Sequence, residues 1–198
     1  MSKDDEDGKD VPVAAIAIAL ERLARLMRAG EHGEGLNPAQ WEALRYLARA
    51  NRFSNAPGAL TKYLGATKGT ISQTVMALER KGLVSKSRRE NEKRSVSLVL
   101  TPKGEAILAQ DPWSKLLNDC AALGNKTRRR LAKGLRELLD EELKRGNHPS
   151  FGLCGTCRFF REKGRDGDAR GPHLCMLFDE PLAQAESLRI CAEHEAAA

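Results

Sequence analysis

The sequence predicts a mainly α-helical protein with one small β-hairpin (α+β), followed by a cysteine-rich extension. Apolar residues recur at helical spacing over most of the chain up to residue 146, and one short stretch, residues 95–100, alternates between polar and apolar residues. Four of the five cysteines lie in the last quarter of the chain. We therefore expect a disordered acidic N-terminus over residues 1–10, a main domain over residues 11–146 and a metal-binding extension over residues 147–198.

The first two helices are predicted from an apolar stripe and a capping signal. The stripe consists of Val13, Ile16, Leu20, Leu23 and Met27 and ends near Gly30. Asn37 followed by Pro38 is typical of a helix start, which opens a helix over residues 38–50. Residues 11–20 are too short to span a bilayer, and acidic residues precede them. We therefore expect no membrane contact, no signal peptide and a cytoplasmic protein.

The centre of the chain predicts two helices joined by a tight turn. Residues 59–66 can form a short helix and residues 67–81 a longer one, with the turn around Gly65 and Ala66. Ile71, Val75 and Leu78 recur at helical spacing and should face the core. The remaining polar positions of the longer helix are then expected to face outward, with Ser72 at the flank: Lys68, Thr70, Ser72, Gln73 and Thr74.

A basic hairpin is predicted directly after these helices. Residues 83–89 and 95–100 form its strands, and residues 90–94 its polar tip. Helix, turn, helix and basic β-ribbon form a winged helix-turn-helix, which places one helix in the major groove of DNA and the hairpin beside it. The hairpin cations expected to approach the duplex are Arg88, Arg89, Lys93 and Arg94.

The charge distribution favours DNA as the partner. Residues 61–104 contain ten Lys and Arg against Glu79, Glu90 and Glu92, a net charge of +7, whereas the whole chain has a net charge of +6. Positive charge is thus concentrated in the predicted winged helix, as expected for a polyphosphate partner. We expect Gln73 to contact a base, Thr70 and Ser72 to contact phosphates, and a hairpin arginine to enter a narrow minor groove.

Several motifs occur in the order found in a known family. They are Leu36-Asn-Pro-Ala-Gln-Trp-Glu-Ala-Leu-Arg-Tyr-Leu, Lys68-Gly-Thr-Ile-Ser-Gln, Leu78-Glu-Arg-Lys-Gly-Leu-Val, Glu92-Lys-Arg and Leu100-Thr-Pro-Lys-Gly. With them, residues 13–145 resemble MarR-type transcriptional regulators, although the family's Asp-x-Arg of the wing is replaced by Glu92-Lys93-Arg94.

The resemblance implies a homodimer whose first and last helices form the interface and which binds a pseudo-palindromic operator. It assigns DNA contacts to Lys68, Thr70, Ser72, Gln73 and Thr74 in the helix and to Arg88, Arg89 and Arg94 in the wing. It also implies a small-molecule effector, often an aromatic acid, although no residue of this sequence specifies one.

Two further helical segments are predicted before the extension. Thr101 with Pro102 repeats the helix-start signal, and Asp111-Pro112 should interrupt the helix that begins there. Leu131, Leu135, Leu138 and Leu139 form an apolar stripe within a helix over residues 126–145. Cys120 lies on a helix, where we interpret it as a small core residue.

The extension has the spacing of a metal site. Its cysteines follow the pattern C-x2-C-x17-C-x15-C and are Cys154, Cys157, Cys175 and Cys191. In a cytosolic protein this pattern favours a metal over two disulfides. A closed four-thiolate zinc site is the first interpretation, with a [4Fe–4S] cluster as the alternative.

Apolar residues that could shield such a cluster are Phe151, Phe159, Phe160, Leu174, Met176, Leu177 and Phe178. The run Cys154-Gly-Thr-Cys-Arg-Phe-Phe with Cys175-Met-Leu-Phe resembles the pattern of high-potential iron–sulfur proteins, although the spacing differs and the aromatic residue beside the last cysteine is absent. His173 and His194 could replace a thiolate, but we expect them to contact the ligands or face solvent.

Three classes of function follow. The first is a DNA-binding regulator with a structural metal site; the second makes the cysteine cluster its sensor. The third is a thiol oxidoreductase using Cys154-Gly-Thr-Cys157, or a zinc hydrolase. Because the sequence has no βαβ unit before that motif, no phosphate loop, no nucleophile elbow and no open zinc site with a base, we expect no enzymatic activity.

Overall fold

The computed structural model describes residues 12–32, 34–88 and 96–197. Within these ranges the main domain is helical with one antiparallel hairpin. Its elements are α1 (Val13–Ala29), a 3-10 turn (Gly30–His32), α2 (Pro38–Arg49), α3 (Pro57–Leu64), α4 (Lys68–Arg80), β1 (Val84–Arg88), β2 (Val96–Leu100), α5 (Pro102–Leu108), α6 (Trp113–Ala122) and α7 (Asn125–Arg145).

The predicted helix starts are confirmed by their capping bonds. The side chain of Asn37 accepts a hydrogen bond from the backbone N–H of Gln40 at 2.9 Å, and Pro38 occupies the first helical position of α2. Thr101 caps α5 in the same way, since its Oγ1 accepts from the N–H of Gly104 at 3.0 Å. These side chains supply acceptors that the first helical turn lacks internally.

The hydrophobic core lies between α2, α3, α4 and the hairpin. Its largest side chains are at most 2% exposed: Trp41, Leu44, Tyr46, Leu60, Ile71, Val75, Leu78, Leu83 and Leu98. The prediction that Ile71, Val75 and Leu78 face the core is therefore confirmed. The Tyr46 hydroxyl donates to the carbonyl of Ser54 at 2.7 Å, which satisfies a polar group that this core encloses.

The hairpin packs against the start of α5 at a point where only glycine fits. Strands β1 and β2 are antiparallel, with Val84 opposite Leu100 and Arg88 opposite Val96. A Cβ atom added to Gly104 would lie 2.1 Å from the carbonyl oxygen of Leu83. The close approach of the two backbones therefore explains the glycine of the Leu100-Thr-Pro-Lys-Gly motif.

A buried ionic cluster joins the beginning of the domain to its end. Arg45 on α2 contacts Glu31 at 2.6 Å and Asp111 at 2.8 Å, and all three residues are at most 8% exposed. The indole N–H of Trp113 also donates to Glu31, at 2.9 Å. Burial by itself lowers the pKa of Arg45, but the bonds to Asp111 and Glu31 raise it by more, so the guanidinium stays charged.

Helices α1, α6 and α7 contain no buried residue in this single chain. The apolar stripes predicted on α1 and α7 are present, but they are largely exposed to solvent. Met27 is half-buried, and among the other members exposure ranges from 40% for Leu20 to 83% for Val13. The stripes therefore belong to a surface that the monomer does not cover.

The extension forms a small sheet that the sequence did not predict. Its strands β3 (Phe160–Arg161), β4 (His173–Cys175) and β5 (Glu180–Leu182) are antiparallel in the order β3-β4-β5, followed by the short helix α8 (Gln184–Ser187). The extension packs on the loop between α2 and α3. Ile190 donates to the carbonyl of Arg49 at 2.7 Å and accepts from the N–H of Asn51 at 2.9 Å.

Some predictions concern parts of the chain outside the described residues. The expected disorder of residues 1–10 is one, and the DNA contacts of Arg89, Lys93 and Arg94 are others. Arg88 ends β1, where its backbone pairs with Val96, but its side chain is not among those described. In the described ranges no helix combines the length and apolar character required to cross a membrane.

Candidate nucleic-acid interface and four-cysteine pocket

The helix-turn-helix is built from α3 and α4. Helix α3 begins at Pro57, two residues before the predicted start, and ends at Leu64; the next residue, Gly65, adopts φ +60. This left-handed conformation, which favours glycine, reverses the chain within the turn. Thr67 then caps α4, since its side chain accepts from the N–H of Thr70 at 3.1 Å.

Four of the five polar residues predicted to face outward on α4 do so. Lys68, Thr70, Ser72 and Gln73 are exposed on the side opposite the core. The hydroxyl of Thr70 lies 2.9 Å from the hydroxyl of Thr67, which orients it at the first turn of the helix. The N-terminal half of α4 thus presents a short row of hydroxyl, amide and ammonium groups, the groups that contact bases and phosphates in DNA-reading helices.

The prediction that Thr74 faces outward is wrong. Thr74 is only 8% exposed, and its hydroxyl donates to the carbonyl of Thr70 at 3.0 Å. Its position, three residues after Ile71 and four before Leu78, places it on the core face of α4. A threonine can occupy this face because the backbone of the preceding turn satisfies its hydroxyl. Thr74 is therefore removed from the DNA-contacting set.

Several cations counted in the sequence are engaged within the protein. Lys86 forms an ion pair with Glu79 at 2.6 Å. The ammonium group of Lys81 donates to Gln40 at 2.9 Å, and that of Lys103 donates to the carbonyl of Lys81, also at 2.9 Å. These lysines connect α4 to α2, β1 and α5, so part of the local positive charge stabilises the DNA-reading unit internally.

All four cysteines of the extension line one pocket. Cys154 begins a 3-10 turn, Cys154–Thr156, and the N–H of Cys157 donates to the carbonyl of Cys154 at 2.9 Å. Cys175 ends β4, and Cys191 forms a backbone bridge with Gly152. Three segments of the extension, one of which contains both Cys154 and Cys157, therefore bring the four cysteines to one pocket.

The walls of this pocket are mainly aromatic and aliphatic. They come from both the extension and the loop between α2 and α3, and the lining residues other than cysteine are Asn51, Phe53, Phe159, Phe160, Leu177, Phe178, Leu182 and Glu193. Phe159, Phe160, Leu177 and Phe178 were expected to shield a cluster. Asn51 and Phe53 were not, because they lie about a hundred residues before the first of these cysteines.

Burial and the neighbouring cysteines raise the pKa values of two of these thiols. Burial, together with Cys191, Cys175, Cys157 and Glu186, raises the pKa of Cys154 to about 12. Burial also raises the pKa of Cys175, whereas hydrogen bonds from the backbone of Phe178 and Leu177 act in the opposite direction. A metal cation among these thiols would lower their pKa values, because it binds and stabilises the thiolate form. Among the described residues, no three His, Cys, Asp or Glu side chains are already arranged around a single ion.

The two histidines near the cysteines have structural contacts. His173 is 4% exposed; its Nδ1 accepts from the N–H of Lys163 at 3.1 Å, and its Nε2 lies 2.6 Å from Oε1 of Gln184. Both ring nitrogens are thus occupied by Lys163 and Gln184, and the expectation that His173 faces solvent is wrong. The Nε2 of His194 lies 3.0 Å from the hydroxyl of Thr156, a residue that lies between Cys154 and Cys157 in the sequence.

Comparison with known proteins gives a consistent result for the main domain. Residues 34–95 match the sequence model of the MarR family. The HTH-type transcriptional repressor YetL of Bacillus subtilis (strain 168) is 35% identical over 78 residues, which are 39% of this chain and 47% of YetL. The chain thus spans about half the length of this curated relative.

Solved structures show the same fold. A MarR transcriptional regulator from Methanosarcina mazei Go1 has a TM-score of 0.51 and 24% identity, over 66% of this chain and 98% of that one. NadR in complex with 4-hydroxyphenylacetate has a TM-score of 0.51 and 21% identity, over 70% of this chain and 97% of that one. Together, the comparisons show that residues 34–95 are similar to the MarR family and that the main domain has the fold of solved MarR-type structures.

Proposed function

We propose that this chain is a MarR-type transcriptional regulator that binds double-stranded DNA as a homodimer. The observation that carries this proposal is the exposed row Lys68, Thr70, Ser72 and Gln73 on the second helix of a winged helix-turn-helix. Since residues 34–95 match the MarR family, this row lies on the element that reads DNA in winged helix proteins.

Each part of the α4 row has a distinct role in the proposal. Lys68 and Thr70 lie in the first turn, where the unpaired backbone N–H groups of the helix also favour a phosphate. Gln73 lies one turn further along and has an amide able to form paired hydrogen bonds with an adenine edge. The hairpin, with Arg88, Arg89, Lys93 and Arg94, would lie along the adjacent backbone and minor groove.

The uncovered helices supply the dimer interface of the proposal. Val13 and Ile16 on α1, Leu117 on α6 and Leu135 and Leu138 on α7 are between 41% and 83% exposed. Large apolar side chains in contiguous stripes are usually covered in solution. A second copy of the chain would cover them and present two α4 helices to successive major grooves.

The four-cysteine pocket is proposed to bind a metal that stabilises the extension. The strands of the extension are only two or three residues long, so they bury little apolar surface by themselves. Four thiolates around a metal centre would link the segments that contain Cys154, Cys157, Cys175 and Cys191. In small domains the free energy of binding such a metal is also free energy of folding.

A small-molecule effector is proposed to bind beside α2. An open cleft there is lined by Arg45, Arg49, Tyr63, Trp113 and Leu117, among other residues. The cleft also contains Glu42 and Asp111, and Arg45 is already paired with Asp111 and Glu31. Arg49, beside Tyr63 and Trp113, is therefore the cation that would bind the carboxylate of an aromatic acid, the class of the 4-hydroxyphenylacetate bound in the NadR structure. Titration of that acid into the protein–DNA complex, followed by the affinity for DNA, tests this part of the proposal.

The experiment for DNA binding begins with selection of duplexes from a random library at low salt. The affinity for the selected duplex is then measured against salt concentration. Lys68→Ala should weaken binding and reduce the slope of log K against log salt by about 1 for each chain that contacts a phosphate. Lys133→Ala removes the same charge from α7, on the face opposite Leu131 and Leu135, and should leave the slope unchanged.

Two results would contradict this function. One is the absence of any enriched duplex, with no affinity for double-stranded DNA at low salt. The other is an equal effect of Lys68→Ala and Lys133→Ala, because the loss would then reflect net charge and not a contact made by α4.

A further inference from the structure

We propose that the four-cysteine pocket holds a [4Fe–4S] cluster and that the loop containing Asn51 and Phe53 transmits its presence to the helix-turn-helix. The geometry is the convergence of four thiols, an aromatic wall and an unpartnered amide donor from that loop on one pocket. The proposal that the pocket holds a cluster does not depend on DNA binding. The proposal that the cluster regulates DNA binding rests on the proposed function.

A multi-iron cluster and a single zinc ion place their thiolate ligands differently. Zinc bonds sulfur at about 2.3 Å, so four thiolates around it lie only about 4 Å from one another. Here the four cysteines come from three segments of the extension and line one pocket together with Asn51 and Phe53 of the main domain. A cluster attaches each thiolate to a different iron, so its ligands are spread around a larger body.

The walls of the pocket also fit a cluster. Phe53, Phe159, Phe160, Leu177 and Phe178 surround the thiols. A structural zinc site has no redox chemistry that an apolar enclosure could tune. An iron–sulfur cluster does depend on its enclosure, because burial and exclusion of water control its potential.

Two backbone hydrogen-bond donors are directed at the sulfur atom of Cys175. The backbone N–H groups of Leu177 and Phe178 donate to Cys175. Hydrogen bonds of this kind tune iron–sulfur clusters, whose thiolates and sulfides together offer many acceptor sites. The pocket therefore already supplies two of the donors that such a cluster accepts.

Asn51 supplies the most specific observation. It is 1% exposed and lines the pocket, and its Oδ1 accepts from the N–H of Phe53 at 3.2 Å, which fixes the orientation of the amide. Its buried Nδ2 finds no hydrogen-bond acceptor in the described parts of the chain. Buried amide donors are nearly always bonded, so a sulfur acceptor in the pocket accounts for this one.

The same loop connects the pocket to the DNA-reading unit. On the extension side, the N–H of Asn51 donates to Ile190 at 2.9 Å, and the N–H of Ala192 donates to the hydroxyl of Ser54 at 2.7 Å. On the other side, the carbonyl of Asn55 accepts from the N–H of Leu98 on β2 at 2.7 Å, and α3 begins two residues later. A cluster that holds Cys191 and Asn51 in place would therefore also hold the loop that precedes α3 and bonds to strand β2 of the wing.

The first test measures composition and colour. The full chain is purified without oxygen, reconstituted with iron, sulfide and dithiothreitol, and analysed for iron, acid-labile sulfide and zinc. We expect a brown protein with about four iron and four sulfide per chain. Cys157→Ser should lose most of the visible absorption, whereas Cys120→Ser should keep it because Cys120 lies on α6, outside the pocket.

The composition can overturn the proposal in three ways. One zinc per chain without sulfide would establish a zinc site. A colourless chain after reconstitution, or two disulfides that persist under reductant, would remove the cluster. Unchanged iron content in Cys157→Ser would show that the ligand set is wrong.

The second test concerns Asn51 as a positioning residue. Asn51→Leu keeps the approximate size of the side chain and removes its donor. The cluster should still assemble, but its reduction potential should shift to a more negative value, because one hydrogen bond that stabilises the reduced, more negative form is lost. A potential equal to that of the unmodified chain would exclude the donor role.

The third test asks, without DNA, whether the cluster stabilises the loop that contains Asn51 and the strand that contains Leu98. Hydrogen exchange is compared between the cluster-loaded and metal-free chain, and the amides of Asn51 and Leu98 should exchange at least about tenfold faster in the metal-free form. Amides of α1 serve as the internal reference. Equal protection of both amides would overturn transmission. A loaded chain that ignores DNA would contradict only the proposed function, because the iron analysis and exchange rates are measured separately.

Discussion

Phe53 stacks on Phe178 with their ring centroids 4.2 Å apart and their planes inclined by 15°. The first ring belongs to the loop before α3 and the second to the turn between β4 and β5, so this pair joins the extension to the main domain. A stacked aromatic pair contributes roughly 0.5–1.5 kcal/mol beyond its buried area. In a double-mutant cycle, Phe53→Ala and Phe178→Ala should show a coupling free energy in this range, measured by denaturant unfolding. Additive effects of the two substitutions would show that the stack contributes nothing.

Arg45 is predicted to be the most sensitive charged residue of the main domain. Arg45→Met leaves Glu31 and Asp111 buried without their cation, which should lower the free energy of unfolding by about 3–5 kcal/mol. Arg25→Met removes an ion pair with Glu21, but both side chains there are at least 71% exposed, so the cost should stay below about 1 kcal/mol. Urea unfolding of both variants is the measurement, and similar losses would contradict the buried cluster.

Gly104 tests the contact between the hairpin and α5. Gly104→Ala must displace the backbone at Leu83, because the added Cβ would lie 2.1 Å from its carbonyl oxygen. We expect a loss of several °C in Tm, since about 1 kcal/mol corresponds to a few degrees in a domain of this size. Gly58→Ala in α3 is the matched control, because no atom lies within 4 Å of its Cβ position. A Tm for Gly104→Ala equal to that of the control would refute the close approach.

The dimer is tested on α7. Leu135 is 41% exposed in the single chain, so Leu135→Glu should leave the monomer folded and shift the dimer towards monomer through a charge in an apolar interface. Lys133→Glu also introduces a glutamate but lies on the opposite face of the helix, and should keep the dimer. Sedimentation equilibrium reports the mass of each variant. A dimer that survives Leu135→Glu would place the interface elsewhere.

Local sequence signals predicted the framework of the DNA-reading unit because its elements depend on near neighbours. The caps at Asn37 and Thr101, and the core face of Ile71 and Leu78, follow from spacings of three or four residues. The burial of Thr74 could have been predicted from the same spacing, because the residue three positions after Ile71 shares the core face of the helix. Its polar side chain led instead to the expectation that it faces solvent. The hydrogen bond from its hydroxyl to the carbonyl of Thr70 is what allows it to be buried.

The four-cysteine pocket was only partly predictable from sequence. The cysteine spacing indicated that the four thiols would come together, since a metal-binding set repeats a recognisable pattern. Asn51 and Phe53 have no local signal for such a site. They reach it because Ile190 pairs with the backbone at Arg49 and Asn51, a contact across about 140 residues that no periodicity describes.

Gln73 separates base recognition from electrostatic attraction. It is exposed on α4, one turn beyond the capped start of the helix, where its amide would reach a base edge. Gln73→Ala should lower the affinity for the selected duplex by about 1–3 kcal/mol and relax the preference at one base position in each half-site. Lys68→Ala, by contrast, should weaken all duplexes alike, because a phosphate contact has no information on sequence. Repeating the library selection with both variants measures the difference, and an unchanged preference with Gln73→Ala would exclude this side chain from base reading.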